Sequence, residues 1–391
     1  MVVVEANSSS MLIFAGSFPR RILFGRGALE KLPDVLSELT LGDRVMIVTG
    51  RRFARESGYL DKLQSILKSA GISKIVVFDR VKPNPPAEIV EEGGKLARNE
   101  NIDFVVGFGG GSAMDAAKGI AVLATHEGRL KEYYYPNEPK PPILPIVAIP
   151  TTCGTGSEVT KYAIFSENLR KNVMLGEHIV PVIAILDPNI LDKIPRELLA
   201  HTAMDALSHA LESYFHVKAS DFSEMFSSEA AKIILDNFRK AYDEDRSSKE
   251  KLFYASMLAG IAINFTGTVI PHGLGYYLTE KFGLSHGLAT SLFLTQFIEY
   301  VSKKIPERML SLCDRLGIKL DDPSACAKAL IERIDSLRSY ANLPTRLREA
   351  GILEAELGNI IENGLSYKRN LENCIAPPTP DDIEEIIRKA F

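Results

Sequence analysis

The segment HTAMDALSHALESY, residues 201–214, sets the architecture that we infer for this chain. It contains no Gly or Pro and is rich in Ala and Leu, which predicts a helix. Asp205 and His209 are four residues apart, so both side chains lie on one face of that helix. A carboxylate and an imidazole held on one rigid face can bind a metal ion together. For this pair alone, a plain Asp–His hydrogen bond or a solvated face is the alternative interpretation.

Two histidines further along the chain strengthen the metal interpretation. His272 lies in TVIPHGLGYYL and His286 in FGLSHGLAT, segments that are otherwise apolar or rich in glycine. An imidazole without a partner would be costly to bury there, so we predict a site with four ligands. One carboxylate and three imidazoles suit Fe(II), Zn(II), Co(II) or Ni(II), so the ligand types do not select the metal.

The composition restricts the class of protein. The 391 residues can form two domains with separate cores, and a net charge of −4 argues against a nucleic-acid surface. Four scattered cysteines without Cys-x-x-Cys spacing argue against a disulfide framework and favour a reducing cytoplasm. No apolar run approaches the roughly twenty residues of a membrane span, and the N-terminus around Glu5 lacks the pattern of a targeting signal. The predicted partners are small molecules and a second copy of the chain.

The N-terminal half alternates between strand and helix patterns. After a short strand at 21–24 and a helix at 27–39, apolar strands are predicted at 45–48, 75–78, 104–106 and 146–149, with helices at 59–69, 86–98 and 113–123 between them. These intervals are typical of β-α-β units, which predicts an α/β domain with a parallel sheet covered by helices. Further strands are predicted at 162–165, 173–175 and 182–186, and Asp187-Pro188 ends the first domain, residues 1–189.

A glycine-rich turn, GFGGGSAMDAAK, follows the strand at 104–106. Glycines allow a ligand close to the backbone, and the N-terminus of the next helix favours phosphate, so Gly110, Gly111 and Ser112 are predicted to bind the pyrophosphate of a dinucleotide. The pattern differs from the usual fingerprint, which opens the first β-α turn and has a third glycine where Ser112 stands. A tight turn with a helix cap is the alternative. Asp115 is assigned to the same cofactor site, with a plain surface pair between Asp115 and Lys118 as the other possibility.

A second polar loop, PTTCGTGSEVT, follows the strand at 146–149. Ligands bind at the carboxyl ends of strands in open α/β sheets, so we predict that this loop completes the cofactor site. A simple hydroxyl-rich turn is the alternative. The loop contributes Thr151, Thr152 and Thr155, and we add Asn84 and Lys171 to the cofactor-binding set.

Helical periodicity dominates after residue 189. Helices are predicted at 196–214, 223–242, 249–265, 289–301, 305–316, 323–340 and 381–390. No strand pattern of useful length returns, which predicts an all-helical second domain, residues 190–391, that contains all four candidate ligands. A metal there, facing a dinucleotide on the first domain, places the active site in the cleft between the domains.

Four motifs together resemble a known family. GGGSAMD, PTTCGTGSEVT, AMDALSHALESY and HGLGYYLTEKFGLSHG, in this order and at these spacings, resemble the iron-containing, or group III, alcohol dehydrogenases over essentially the whole chain. The resemblance is closest to the 1,3-propanediol dehydrogenase-like subgroup. It implies a Rossmann-like first domain and a helical second domain, the architecture shared with dehydroquinate synthase, and a homodimer with contributions from the N-terminal strands. It also implies Fe(II) bound by Asp205, His209, His272 and His286, and it passes over His201. We therefore interpret the remaining histidines, which are His126, His178, His201 and His216, as non-ligands.

The chain departs from the family at Tyr276. Many members have a second histidine four residues after the third ligand, near the nicotinamide, where it can relay a proton. A phenol, with a reference pKa of about 10, exchanges protons less readily at neutral pH than an imidazole does. Tyr276 is our candidate catalytic residue, and a role in shaping the pocket alone is the alternative, which leaves the proton route open.

The combined parts predict a metal-dependent, NAD(P)-linked alcohol dehydrogenase or aldehyde reductase that acts on small primary alcohols, diols or aldehydes. A metal makes a bound hydroxyl more acidic, and nicotinamide accepts the hydride. A lyase resembling dehydroquinate synthase is one alternative, but it needs basic side chains to hold a phosphorylated acid, and the segments that carry the ligands nearly lack them. A non-catalytic nucleotide-binding protein is the other, and four intact ligands argue against it.

The end of the first β-α unit indicates the choice of cofactor. An acidic residue there binds the ribose 2′-hydroxyl of NAD, whereas a small residue with a nearby arginine admits the 2′-phosphate of NADP. This chain has Gly50, Arg51 and Arg52 at that point, and in the family an Asp at the position of Gly50 is associated with NAD. We therefore predict a preference for NADP(H) over NAD(H), with Gly50 and Arg51 in the cofactor site and with Arg51 or Arg52 pairing with the 2′-phosphate. The alternative is that Gly50 only makes the turn and both arginines face water.

Overall fold

The computed structural model describes residues 16–391. The segment around Glu5 lies outside the described residues. The same is true of the beginning of the N-terminal region that was predicted to contribute to a dimer. The strands are β1 Arg21–Phe24, β2 Arg44–Gly50, β3 Lys74–Val81, β4 Phe104–Gly109, β5 Ile146–Pro150, β6 Tyr162–Glu167, β7 Arg170–Leu175 and β8 Ile183–Leu186. The helices of the first part of the chain are α1 Leu32–Leu39, α2 Phe53–Glu56, α3 Tyr59–Ser69, α4 Ala87–Asn99 and α5 Gly111–Leu123.

Six strands form one parallel sheet in the order β1-β8-β5-β4-β2-β3. Its central strands are runs of Val, Ile and Phe that are buried on both faces, as the continuous apolar pattern predicts for a parallel sheet with helices on each side. The predicted α/β architecture is therefore confirmed. Strands β6 and β7 form a separate antiparallel hairpin.

The chain reverses direction across the sheet between β2 and β4. From β2 it crosses to β3 at one edge, and then returns to place β4 on the other side of β2. Such a switch point opens a crevice at the carboxyl ends of the strands. The pairing places Thr49 beside Phe108 and Gly109 beside Pro150. Gly50, the glycine-rich turn and the second polar loop, PTTCGTGSEVT, which we call the threonine-rich loop, therefore all follow this one edge of the sheet.

The rest of the chain is helical. Its helices are α6 Pro188–Leu191, α7 Arg196–Tyr214, α8 Asp221–Tyr242, α9 Arg246–Phe265, α10 Ile270–Phe282, α11 His286–Ser291, α12 Leu294–Lys304, α13 Pro306–Arg315, α14 Pro323–Tyr340, α15 Leu357–Ser366, α16 Lys368–Glu372 and α17 Pro380–Ala390. The last three turns of α7 are buried on every side, because α8, α9 and α11 pack around this helix. The all-helical second domain is confirmed, while the boundary at residues 189 and 190 stays a prediction.

Two local predictions were wrong. Helix α10 was not predicted, because Gly273 and Gly275 lie inside it and glycine lowers helix propensity. Both glycines allow close packing: a Cβ at Gly275 would lie 3.0 Å from the backbone of Thr290. The helix predicted at 289–301 is divided into α11 and α12, and this break turns α11 so that its first residue, His286, faces α7.

A contact between α7 and α11 fixes that geometry. A Cβ at Gly287 would lie 2.0 Å from the carbonyl oxygen of His201, so only glycine lets the two helices approach this closely.

A third difference from the predicted elements lies near the N-terminus, where the predicted helix at 27–39 begins at Leu32, with Pro33 in its first turn.

No single helix within residues 16–391 is both long and apolar enough to span a membrane. Only α9 and α10 taken together pass that test, and they are bent by 110° relative to each other.

Candidate metal and dinucleotide site

Helix α7 presents three polar side chains on one buried face. Asp205, His209 and Glu212 follow one another at spacings of four and three residues, so they align along the helix. All three are buried. The predicted helix thus brings Asp205 and His209 together, and it adds a carboxylate that the sequence interpretation did not include.

The other two predicted ligands approach this face from α10 and α11. His272 Nε2 lies 3.7 Å from Asp205 Oδ1, and His286 Nε2 lies 3.8 Å from the same oxygen. His209 Nε2 lies 2.9 Å from His272 Nε2. Ligand atoms that each lie about 2.0–2.2 Å from one metal ion are separated by about 3–4 Å. Asp205, His272 and His286 therefore have the spacing of a coordination shell, and His209 lies directly beside His272.

The unsatisfied atoms in this cluster fit a cation. Asp205 Oδ1 is buried and has no hydrogen-bond partner among the described residues. His209 Nδ1 donates a hydrogen bond to the carbonyl oxygen of Gly154, at 3.2 Å, so the neutral ring presents a lone pair at Nε2. Burying such acceptors without a partner is costly, and a divalent metal among them removes that cost. Asp205, His272 and His286 have the composition and spacing of a metal-binding group.

The protonation states also favour metal binding. Burial lowers the pKa of His272 and of His286 to about 3 each, so both imidazoles are neutral at pH 7. Burial would raise the pKa of Asp205, but the nearby imidazoles of His209, His286 and His272 hold it below its ordinary value. A negative carboxylate surrounded by neutral imidazoles is the form in which these groups bind metals.

Glu212 is a functional candidate that the sequence analysis missed. Its Oε1 lies 2.5 Å from His272 Nδ1, and its Oε2 accepts hydrogen bonds from the backbone N–H groups of Val269 and His272. Burial raises the pKa of Glu212 to about 8. A cation at Nε2 of His272 favours a proton on Nδ1 and an ionised Glu212, the carboxylate–histidine–metal arrangement. Its position three residues after His209, on the same helix face, was the available signal.

Tyr276 packs against the ligands. Its ring stacks on His286, with the centroids 5.9 Å apart and the planes 9° apart, and it lies edge-on to His272. Burial raises the pKa of its phenol well above the ordinary value. A phenol of this kind is a poor proton exchanger at neutral pH, so the geometry favours a role in orienting His286. Its catalytic role stays a prediction.

The other histidines lie outside the cluster. His201 is one turn before Asp205 on α7, and the carboxylate whose charge acts on its imidazole is that of Glu197, whereas Asp205 interacts with His209, His272 and His286. His216 is fully buried, and its Nδ1 accepts a hydrogen bond from the backbone N–H of Lys218. His126 and His178 belong to the first domain.

The glycine-rich turn forms a cradle at the N-terminus of α5. Gly109 has φ 154°, a conformation that favours glycine, and Gly110 is the N-cap. A Cβ at Gly111 would lie 2.5 Å from Thr155 Cγ2, so this glycine brings the helix N-terminus against the threonine-rich loop. The Oγ of Ser112 accepts a hydrogen bond from the backbone N–H of Asn84, at 3.2 Å. Free helix N–H groups at this position can bind a phosphate.

Asp115 and Lys118 are not a surface pair, so that alternative was wrong. Asp115 accepts hydrogen bonds from Ser157 Oγ at 2.6 Å and from the backbone N–H of Ile164 at 3.0 Å. Lys118 is fully buried and donates to oxygens of the second loop and β6, and burial lowers its pKa to about 8. Together they fix that loop against α5.

Lys171 and Asn84 meet on the opposite wall. Lys171 Nζ donates to Asn84 Oδ1 at 2.6 Å and forms a buried ion pair with Glu280 Oε1 at 2.9 Å. The backbone N–H of Lys171 also donates to Tyr367 Oη, which joins the β6–β7 hairpin to the helical domain. The charge of Lys171 is thus already balanced, and the residue positions Asn84.

The remaining predicted cofactor residues lie along the same sheet edge. Thr151 is buried, with its N–H bonded to the carbonyl of Gly109, and the Thr152 side chain lies next to Gly110. Gly50 ends β2, while Arg51 is exposed and forms no ion pair within the described part of the chain. Gly50 and Arg51 do not line the main cleft, and they lie at the carboxyl end of β2, the strand next to β4.

One cleft contains most of the predicted residues from both domains. Its lining includes Asn84, Gly111, Ser112, Asp115, Thr155, Lys171, His209, His272, Tyr276 and His286. It also includes Arg369, which no motif indicated. Lys171 and Arg369 correct the argument that the site lacks basic side chains: the ligand-bearing segments do lack them, but other elements bring them into the cleft.

Comparisons with known proteins show the family of this chain. The family described as iron-containing alcohol dehydrogenase matches residues 19–188, and the C-terminal region of the Fe-containing alcohol dehydrogenase family matches residues 199–391. An NAD-dependent methanol dehydrogenase of Bacillus methanolicus is 30% identical over 95% of this chain and 98% of its own length. An NADPH-dependent butanol dehydrogenase of Clostridium saccharobutylicum is 30% identical over 88% of this chain and 89% of its own length.

A solved structure is also similar to this chain in its fold. The crystal structure of a 1,3-propanediol oxidoreductase has a TM-score of 0.91 and 30% identity, and the match covers 97% of this chain and all of that one. The resemblance to the propanediol-like subgroup is confirmed, and the lyase alternative is not favoured. On these matches to both halves of its sequence, the chain belongs to the iron-containing alcohol dehydrogenase family.

Proposed function

We propose that this alcohol dehydrogenase reduces small aldehydes, and oxidises the corresponding primary alcohols or diols, with NADP(H) and a divalent metal bound by Asp205, His209, His272 and His286. One observation carries the proposal. A buried Asp205 oxygen without a hydrogen-bond partner in the described residues lies 3.7 and 3.8 Å from nitrogens of His272 and His286. Both imidazoles line the cleft that also contains the N-terminus of α5.

The protein side chains hold the centre in place before any substrate arrives. Gly154 and Glu212 bond the Nδ1 atoms of His209 and His272, which directs both Nε2 atoms to one point. The ring of Tyr276 supports His286. When bound, the metal would act as a Lewis acid on the substrate oxygen, and iron is the metal that family membership implies.

The first domain would bind the dinucleotide. The N-terminus of α5 offers the backbone N–H groups of Gly111 and Ser112 to the pyrophosphate. Asp115 accepts a hydrogen bond from Ser157 and so holds in place the loop that contains Thr155. Asn84, positioned by Lys171, closes the other side. Thr151 and Thr152 complete the edge of the site.

The preference for NADP(H) is supported by the end of β2. Gly50 adds no carboxylate that would repel a 2′-phosphate, and Arg51 is exposed without an ion-pair partner in the described residues. The relatives include proteins named as NAD-dependent and as NADPH-dependent, so the choice rests on these residues.

We further propose a homodimer in the cytoplasm. Four cysteines that are buried and free support a reducing compartment. Analytical ultracentrifugation of the full-length protein tests the oligomeric state, and a single species with the mass of one chain would contradict the dimer.

The experiment that tests the activity uses chelated protein reconstituted with Fe(II) or Zn(II). Loss of NADPH absorbance is followed with aldehydes of two to six carbons. We expect turnover that requires the metal and a higher kcat/KM for NADPH than for NADH. Equal turnover before and after chelation, or no turnover with any aldehyde, would contradict the proposal.

A further inference from the structure

Arg369 is a charged side chain in the cleft that the proposed reaction does not use. It belongs to α16, is half-buried, and lines the same cavity as His209, His272 and His286. Its guanidinium lies over the rings of Tyr135 and Tyr162, 5.0 and 5.6 Å from their centroids. Aromatic faces orient a guanidinium, but they leave its N–H donors free.

No carboxylate balances this charge. Among the described residues, Arg369 forms no ion pair and no side-chain hydrogen bond, although most arginines of the chain do. Asp115, which lines the cleft, and Asp205, which lies beside its histidines, are already engaged. Asp115 accepts hydrogen bonds from Ser157 and Ile164, and Asp205 faces the histidine cluster.

The groups around Arg369 are hydrogen-bond donors. The hydroxyl of Tyr162 has no partner in the described structure, and it lies at the glycine that begins the loop before α10: a Cβ at Gly267 would lie 3.4 Å from Tyr162 Oη and 3.2 Å from His216 Nε2. His216 accepts a hydrogen bond at Nδ1 from the backbone of Lys218, so its proton is on Nε2, which has no acceptor. An unpaired cation beside two free donors is the environment that binds an anion.

Arg369 is also within the reach of a short substrate. Arg369 lines the same cleft as Thr268, Tyr276 and the histidine cluster, and its charge acts on the phenol of Tyr276. One face of Tyr276 stacks on His286. A molecule with its carbonyl oxygen at the cluster can therefore place a group a few carbons away against the guanidinium.

We propose that Arg369 is a substrate-binding residue that selects aldehydes and alcohols bearing a carboxylate at the end away from the reacting carbon. This inference rests on the proposed function, because it places the reacting oxygen at the metal site. Arg369 would hold the carboxylate in a bidentate pair, and Tyr162 would donate a further hydrogen bond through its hydroxyl. The substrate class is a short ω-oxo acid and the corresponding ω-hydroxy acid.

The test compares 4-oxobutanoate with two neutral aldehydes, its methyl ester and butanal, on metal-reconstituted enzyme with NADPH. The wild type should give kcat/KM for 4-oxobutanoate at least tenfold above that for the methyl ester. Arg369→Gln should lower kcat/KM for 4-oxobutanoate by about 10–100-fold, the effect of losing one charge-assisted pair, and change that for the ester by less than threefold. Tyr162→Phe keeps the ring and should produce a smaller loss, again with the anion only.

The matched control is Arg170→Gln. Arg170 also lies over a tyrosine ring, that of Tyr367, but it is exposed and does not line the cleft, so its removal should leave the preference for the anion unchanged. A wild type that reduces all three aldehydes with equal kcat/KM would overturn the inference and leave the proposed function intact. An Arg369→Gln enzyme whose KM for NADPH rises with every aldehyde would assign Arg369 to the cofactor, which also overturns it. No turnover with any aldehyde would overturn both proposals.

Discussion

Glu212 and His272 are 60 positions apart in the chain, yet the Oε1 of one lies 2.5 Å from the Nδ1 of the other. The carboxylate comes from the last turns of α7 and the imidazole from the first turn of α10. This contact determines which nitrogen of His272 faces Asp205 and His209, and it links the geometry of the proposed metal site to the packing of the two helices.

The first prediction is that Glu212→Gln weakens metal binding. The amide keeps the size of the side chain but removes the negative charge that favours a proton on Nδ1, so metal affinity should fall by about 10–100-fold. Titration with Fe(II) or Zn(II), followed by elemental analysis after gel filtration, measures this. Glu197→Gln, at an exposed position on the same helix, is the control. If both variants bind the metal as the wild type does, Glu212 has only a packing role.

The second prediction separates His272, whose Nε2 lies 3.7 Å from Asp205, from His201, which lies one turn before Asp205 on α7. His272→Ala should abolish alcohol oxidation and lower metal content, while NADPH binding, measured by fluorescence, should stay nearly unchanged because the first domain binds the cofactor. His201→Ala should retain most of the activity. Equal losses in the two variants would mean that the ligand assignment is wrong.

The third prediction concerns the two central glycines of the cradle. A Cβ at Gly111 would lie 2.5 Å from Thr155, whereas one at Gly110 would have ordinary contacts of 3.4 and 3.5 Å with Thr152. Gly111→Ala should therefore displace the threonine loop and raise the dissociation constant for NADPH at least tenfold, and Gly110→Ala should raise it less. Isothermal titration calorimetry gives both constants. The metal content of each variant is the control, since the cluster lies in the other domain.

The fourth prediction tests cofactor choice. A Cβ at Gly50 would lie 3.5 Å from the carbonyl of Val81, an ordinary contact, so Gly50→Asp should fold normally. The new carboxylate should lower kcat/KM for NADPH far more than for NADH. Arg51→Gln should also lower NADPH use, while Arg52→Gln serves as the control because Arg52 pairs with Glu56. A wild type that favours NADH contradicts the proposal.

The fifth prediction is a dependence of stability on pH. Burial lowers the pKa of His216 to about 3, whereas an unfolded histidine has a pKa of about 6.5. Between these values the unfolded chain binds one more proton than the folded protein at this residue. The contribution of neutral His216 to stability is therefore fully present above pH 6.5 and is lost as the pH falls toward 3.

Urea unfolding of the wild type and of His216→Gln at pH 6, 5 and 4 tests this dependence. Glutamine cannot take up the proton, so the free energy of unfolding of the variant should fall by about 1.4 kcal/mol less per pH unit than that of the wild type. His178→Gln, at an exposed position, is the control and should follow the wild type. Parallel curves for the wild type and His216→Gln would contradict the prediction.

The sequence predicted the sheet and most helices because their periodicities are local. The grouping of Asp205, His209, His272 and His286 was also recoverable, since the first two share a helix face and the other two stand out in apolar segments. Their role as metal ligands stays a proposal. Glu212 was not recognised, because its partner is decided by how α10 packs on α7. Helix α10 was missed for a related reason: Gly273 and Gly275 lower local helix propensity and are compensated by tertiary contacts.

Lys118 and Arg369 illustrate the same limit. The spacing of Asp115 and Lys118 is that of a surface pair on a helix, and only the loop folded over α5 makes Lys118 a buried donor. Arg369 belongs to no motif, and its position depends on the arrangement of short helices near the C-terminus. Contacts with residues that are distant in the sequence determine the environment of Lys118 and of Arg369. Local sequence patterns do not predict such contacts.

The buried ion pair between Lys171 and Glu280 has a consequence for how the molecule melts. It joins the β6–β7 hairpin of the first domain to α10 of the second, with side chains only 4% and 9% exposed. If one domain unfolded alone, this ion pair and the packing of β7 against α10 would both be lost. We expect the two domains to unfold as one cooperative unit, with a single peak in scanning calorimetry.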